Sequence, residues 1–223
     1  MNKSIIVAID EVNLNKFNTI LESLDNKKCM VKIGSVSFNA LGHQTIEIAS
    51  SKGFEIFLDL KFHDIPNTVE KSIKGLTSLP IKMLTVHASG GTKMMGAAKN
   101  AVRGTDIEIF AVTALTSLSD EDSLKISQRS AAEQVNAMIE LAEEAGIDGV
   151  VCSPHELDLV CSRKSLQSIT PGIRLSQSED DQTRIMTPRE AILKGANYIV
   201  IGRPITNALN ISEALIEIYN SIY

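Results

Sequence analysis

The sequence predicts an α/β fold in which eight parallel strands, each followed by a helix, close into a single-domain (β/α)8 TIM barrel. Short apolar, β-branched runs recur along the 223 residues with amphipathic stretches between them. These runs are nearly continuously hydrophobic instead of alternating, as a parallel sheet covered by helices requires. Gly53, Gly146 and Gly195 each fall where a helix must stop just before the next strand. About eight such units in a chain of this size match a compact barrel. A doubly wound open sheet is the competing arrangement for the same pattern.

Strands are expected near Ile5–Ile9, Met30–Ile33, Ile56–Leu60, Met83–Val86, Ile107–Val112, Gly149–Cys152, Leu166–Thr170 and Tyr198–Ile201. Helical stripes lie between them. Leu14, Phe17, Leu21 and Leu24 follow one helix face, as do Val69, Ile73 and Leu76, and again Val135, Met138, Ile139 and Ala142. Thr187-Pro188-Arg189-Glu190 reads as a helix start, with Thr as cap, Pro at the first helical position and Glu closing the capping box. Met94 and Met95 read as helix packing. No linker or low-complexity segment divides the chain, so residues 1–223 are expected to form one barrel domain.

Hydrophobic residues make up 43% of the chain, ordinary for a globular protein, and the formal net charge is −5. That charge argues against a nucleic-acid surface, which needs a basic field. An anionic ligand must then be held by a few placed cations, which favours a small molecule. Cys29, Cys152 and Cys161 are widely spaced without a CxxC pair, and each lies in or beside an apolar stretch. Buried, reduced thiols of a cytoplasmic protein are expected. The apolar run Ile5–Ile9 is too short for a signal-peptide core, and no segment is long enough to span a bilayer.

Charges stand at the ends of the first three strands, where a core strand should stay apolar: Ala8-Ile9-Asp10, Val31-Lys32-Ile33 and Leu58-Asp59-Leu60-Lys61. Side chains two apart on a strand share a face, so Asp59 and Lys61 are expected to point together into the barrel, with Leu58 and Leu60 outward. The same phase turns Lys32 inward, and Asp10 follows Ala8. Two acids and two lysines would then converge at the C-terminal rim, where barrel enzymes place their chemistry. A structural ion-pair network is the alternative, because buried charges must pair wherever they occur.

Thr170-Pro171-Gly172-Ile173-Arg174 follows the seventh strand and Ile201-Gly202-Arg203-Pro204 the eighth. Glycine admits close backbone approach to an anion, and arginine offers a planar fork for phosphate. Barrel phosphate sites are commonly built by these two loops. The polar stretch Leu175–Arg184 between them reads either as a solvated loop or as a closing lid. The histidines show no metal-ligand spacing, and no cofactor motif is visible, so no metal and no cofactor are expected. His43 and His155 read as ordinary helix or loop residues.

The block Leu58-Asp59-Leu60-Lys61-Phe62-His63-Asp64-Ile65-Pro66-Asn67-Thr68 closely resembles the signature of orotidine 5'-monophosphate decarboxylases, especially the shorter bacterial type. The similarity extends through Val7–Asp10, Val31–Gly34, Val86–Ala88, Ala111–Ser117, Thr170–Arg174, Asp181–Arg184 and Ile201–Pro204, in the family's order. The resemblance implies decarboxylation of orotidine 5'-monophosphate to uridine 5'-monophosphate, the last step of de novo pyrimidine nucleotide synthesis. It implies Lys61 as proton donor to C6, Asp59 beside the substrate carboxylate, Lys32 linking Asp59 to the ribose, and Asp10 on a ribose hydroxyl. Thr116, with Ser117, would read the pyrimidine amide edge. Gln182, Gly202 and Arg203 would grip the phosphate, with Arg174 on the lid side. Asp64 and Thr68 would reach into a partner's site, which implies a homodimer with shared sites. The nearest rival is a magnesium-dependent sugar-phosphate decarboxylase or aldolase with a similar Asp-x-Lys-x-x-Asp core, which loss of activity to a chelator would reveal. A catalytically silent phosphosugar-binding barrel is the rival from another class.

Overall fold

Strands β1 (Ile5–Ile9), β2 (Cys29–Gly34), β3 (Ile56–Phe62) and β4 (Met83–His87) make the first half of the sheet. Strands β5 (Glu108–Val112), β6 (Gly149–Val151), β7 (Gln167–Thr170) and β8 (Tyr198–Ile201) complete it. The computed structural model describes residues 3–115, 118–175 and 186–223. Each strand pairs in parallel with the next, and β8 returns to β1 in the register Ile5 to Ile199. That last pairing closes the barrel and rules out the open sheet.

The pleat sorts side chains into two cores. Outward residues such as Val7, Ile9, Val31 and Leu58 pack with Phe17, Leu21, Val69 and Ile73 of the surrounding helices in one continuous layer. Inward residues, among them Ile6, Met30, Phe57, Met83, Phe110 and Ile169, form a separate plug inside the barrel. Burying each such side chain is worth about 1.5–3 kcal/mol, and a one-residue register slip would exchange the two layers. At β6 the plug needs an absent side chain: a Cβ on Gly149 would overlap the Phe110 ring and the Gln167 carbonyl.

Local signals fix the helix ends. Thr187 caps the helix Pro188–Leu193 with Glu190 completing the box, as expected, and the pairs Ser119/Asp122 and Ser130/Glu133 do the same for Asp120–Ser127 and Ala131–Glu144. Such a cap contributes about 1 kcal/mol. Gly53, Gly146 and Gly195 adopt φ of 79°, 67° and 103°, the left-handed conformation that stops a helix before a strand. Met94 and Met95 are fully buried. Among the described residues no helix is long and apolar enough to cross a membrane.

One expectation is corrected. Cys29 and Cys152 are buried, but Cys161 is exposed. The helix Leu157–Cys161 turns Leu157 and Val160 inward at the three-residue spacing, which leaves Cys161 on the outer face.

Candidate active site

The inward phase of the strands changes character on going from the barrel's N-terminal to its C-terminal end. On β2, Met30 is followed by Lys32; on β3, Phe57 by Asp59; on β4, Met83 by Thr85. The upper members carry the charges and the lower members carry the plug. Lys32 Nζ lies 3.3 Å from Asp59 Oδ2 and 3.5 Å from Asp10 Oδ1, and Lys61 Nζ lies 2.8 Å from both Asp59 oxygens. The result is a chain of alternating sign, Lys61–Asp59–Lys32–Asp10. Its centre is dry, with the side chains of Lys32 and Asp59 only 13% and 9% exposed, whereas Asp10 at its end is 53% exposed.

The route by which Lys61 reaches Asp59 differs from the expected one. Regular alternation was to bring them together, but β3 carries a bulge: Leu58 pairs with Leu84 and Phe62 with Val86, so four residue steps of β3 run against two of β4. Lys61 itself sits at φ 52°, a left-handed conformation that costs a non-glycine residue about 1–2 kcal/mol. The Thr85 hydroxyl accepts from the Lys61 backbone N–H at 2.9 Å and donates to Asp59 Oδ1 at 2.9 Å. Burial would push the Asp59 carboxyl up, but the Lys32 and Lys61 ammonium groups, helped by hydrogen bonds from Lys61 and Thr85, outweigh it and hold it below its ordinary value.

Two residues of this arrangement escaped the sequence reading. Thr85 is one; its only signal was a hydroxyl in the inward phase of an otherwise apolar strand. Gly34 is the other. A Cβ there would stand 2.8 Å from Lys32 Nζ and 3.2 Å from Asp10 Oδ1, so its absence makes room for the ammonium to bridge the two acids.

A cavity of about 300 Å³ opens on this cluster, at the small end of the range of small-molecule sites, about 300–1,000 Å³. Its lining includes Asp10, Lys32, Asp59 and Lys61 together with Gly172, Arg174, Gly202 and Arg203. Both loops expected to hold phosphate therefore face the same space as the charge chain. Arg174 is buried, and its backbone N–H donates to the Met186 carbonyl at 3.0 Å. Asp64 and Thr68 do not line the cavity; both are exposed, and Asp64 Oδ1 accepts from the Ile65 N–H at 2.6 Å. Thr116, Ser117 and Gln182 lie outside the described residues, as does nearly all of the stretch Leu175–Arg184.

His63 is exposed and its ring stands 5.3 Å from that of half-buried His87. Burial, then the charges of His63 and Lys61, push His87 below its ordinary value. His43 packs against Phe38, away from the mouth. Among the described residues no three His, Cys, Asp or Glu side chains gather as metal ligands.

Comparison with known proteins gives the family. The model of the orotidine 5'-phosphate decarboxylase / HUMPS family matches residues 3–218. The chain is 46% identical to the orotidine 5'-phosphate decarboxylase of Saccharophagus degradans, covering 96% of this chain and 92% of that one. It is 43% identical to that of Shewanella sediminis, covering 99% and 97%. Among solved structures, the orotidine 5'-phosphate decarboxylase of Lactobacillus acidophilus superposes with a TM-score of 0.86 at 37% identity, covering 99% of both chains. A closed barrel with this charge chain at its mouth, matched over nearly its whole length, belongs to the orotidine 5'-phosphate decarboxylase / HUMPS family.

Proposed function

We infer that Lys61 carries the chemistry of this chain, which decarboxylates orotidine 5'-monophosphate to uridine 5'-monophosphate in pyrimidine synthesis. The observation that supports this role is the Lys61 ammonium held 2.8 Å from a buried, ionised Asp59 at the edge of the cavity. When the bond from C6 to the carboxylate breaks, its electron pair stays on C6 in an orbital in the plane of the ring, where the ring's π system cannot take it up. A fixed positive charge beside C6 stabilises that pair as it develops. The ammonium then gives C6 a proton, CO₂ departs, and the lysine amine is reprotonated from water. Asp59 lies beside the leaving carboxylate, and Lys32 joins Asp59 to Asp10 and the ribose.

At the far side of the cavity, Arg203, Gly202 and Arg174, with Gln182, take the phosphate, and Thr116 with Ser117 read the pyrimidine edge. The lining supports an anion: among its described residues four cations, Lys32, Lys61, Arg174 and Arg203, outnumber two acids, Asp10 and Asp59, by two. That local surplus sits in a chain of net charge −5, which suits one nucleotide and not a nucleic-acid backbone. The enzyme works without metal or cofactor, in the cytoplasm, as a homodimer. Exposed Asp64 and Thr68, standing outside their own cavity, complete the partner's. Mixing two inactive variants, Lys61→Ala and Asp64→Ala, tests both roles together. Heterodimers should regain up to about one native site in two per dimer, read as loss of orotate absorbance. Activity in Lys61→Ala alone, or no recovery after demonstrated subunit exchange, would overturn the corresponding role.

A further inference from the structure

We propose that Thr85 is a positioning residue that sets where the Lys61 ammonium stands, an inference that rests on the reading of Lys61 and Asp59 as the reacting pair. Thr85 is fully buried on β4 and touches that pair through a single hydroxyl. Its oxygen accepts from the Lys61 N–H and its proton goes to Asp59 Oδ1, both at 2.9 Å. Lys61 Nζ closes the ring by returning to the Asp59 carboxylate at 2.8 Å. The hydroxyl therefore joins the backbone from which the lysine springs to the carboxylate at which it ends.

The bulge makes this link necessary. With four steps of β3 set against two of β4, the Lys61 N–H is carried by a side chain of the neighbouring strand. The left-handed φ of 52° persists only while its surroundings hold it there. A methyl in place of the hydroxyl would leave a part-buried N–H without its acceptor and a buried carboxylate without one donor. The bulge would relax, and the relaxation would be passed along the lysine side chain to Nζ. A displacement of about 1 Å at a reacting group costs on the order of 100-fold in rate.

Thr85→Val keeps the shape and removes the hydroxyl. Its expected signature is a kcat lower by roughly 100-fold with KM changed by less than about threefold, because Thr85 faces the lysine and not the cavity. Thr85→Ser restores the hydroxyl and should return kcat to within about threefold of native. A folded Thr85→Val enzyme with native kcat, or one whose loss lies wholly in KM, would overturn the proposal. If Thr85→Val does not fold, Thr85→Ser decides: near-native kcat supports the hydroxyl's role, and a loss of about 100-fold overturns it. Lys61→Ala, assayed alongside, separates the two levels. If it retains turnover the reacting-pair reading fails; if it is dead while Thr85→Val is native, only the positioning role fails.

Discussion

Both ends of this barrel are charged, and they use the charge differently. At the N-terminal end, Lys3 pairs with Glu55, Lys82 lies 3.9 Å from Glu108, and Lys99 grips Asp148 at 2.6 Å. The recess there is lined by two lysines, Lys3 and Lys82, against two glutamates, Glu55 and Glu108, so its charge balances. Asp148 also accepts from the Ile109 N–H at 2.7 Å, binding a helix and two strand starts together. At the C-terminal mouth one carboxylate is shared by two lysines, and among the described lining residues four cations stand with two acids. Balanced pairs finish a structure. At the mouth the paired lysines line a cavity that can take an anion, and this, more than the number of charges, distinguishes the two ends.

Removing a cation from the mouth should have the largest effect. Arg203→Ala is expected to lower kcat/KM by about 10²–10³-fold, the worth of a bidentate charge-assisted contact. Added phosphate-mimicking dianion should restore part of the loss in steady-state assays; a near-native kcat/KM would break the comparison at its functional end. At the balanced end, Asp148→Ala should destabilise the fold by about 2 kcal/mol, seen as a lower thermal midpoint, and leave kcat unchanged. A kcat effect there would mean that the two ends are coupled. The smallest effect is a pH dependence. Asp59 is held below 3.8 in the folded chain, so its contribution to stability is present above that value and fades as pH falls through the folded value. The stability gap between native and Asp59→Asn proteins should therefore narrow on acidification below pH 3.8, and denaturant melts at pH 7 and pH 3 would reveal it.

The barrel was legible because its strands are written locally. Ile5–Ile9 and Tyr198–Ile201 fall where their β-branched runs lie, and the other strand ends move by a residue or two. The inward phase of Lys32 was legible for the same reason, since Val31 and Ile33 flank it and both face the helices. The bulge at Lys61 was not, because alternation assumes a regular pleat and the register shift belongs to the pairing of β3 with β4. Thr85 and Gly34 were hidden likewise: each matters through a neighbour that only the closed sheet brings near. Cys161 misled because five residues rich in apolar types form one helical turn with an outside.

The apolar plug has a bearing on traffic. Phe57, Met83 and Phe110 fill the barrel beneath the charged residues, and the Phe110 ring occupies the space left by bare Gly149. Among the described residues the plug shuts the cavity at its base, so the cavity opens toward the C-terminal rim. In the proposed reaction, carbon dioxide and nucleotide would then leave on the side from which the substrate enters.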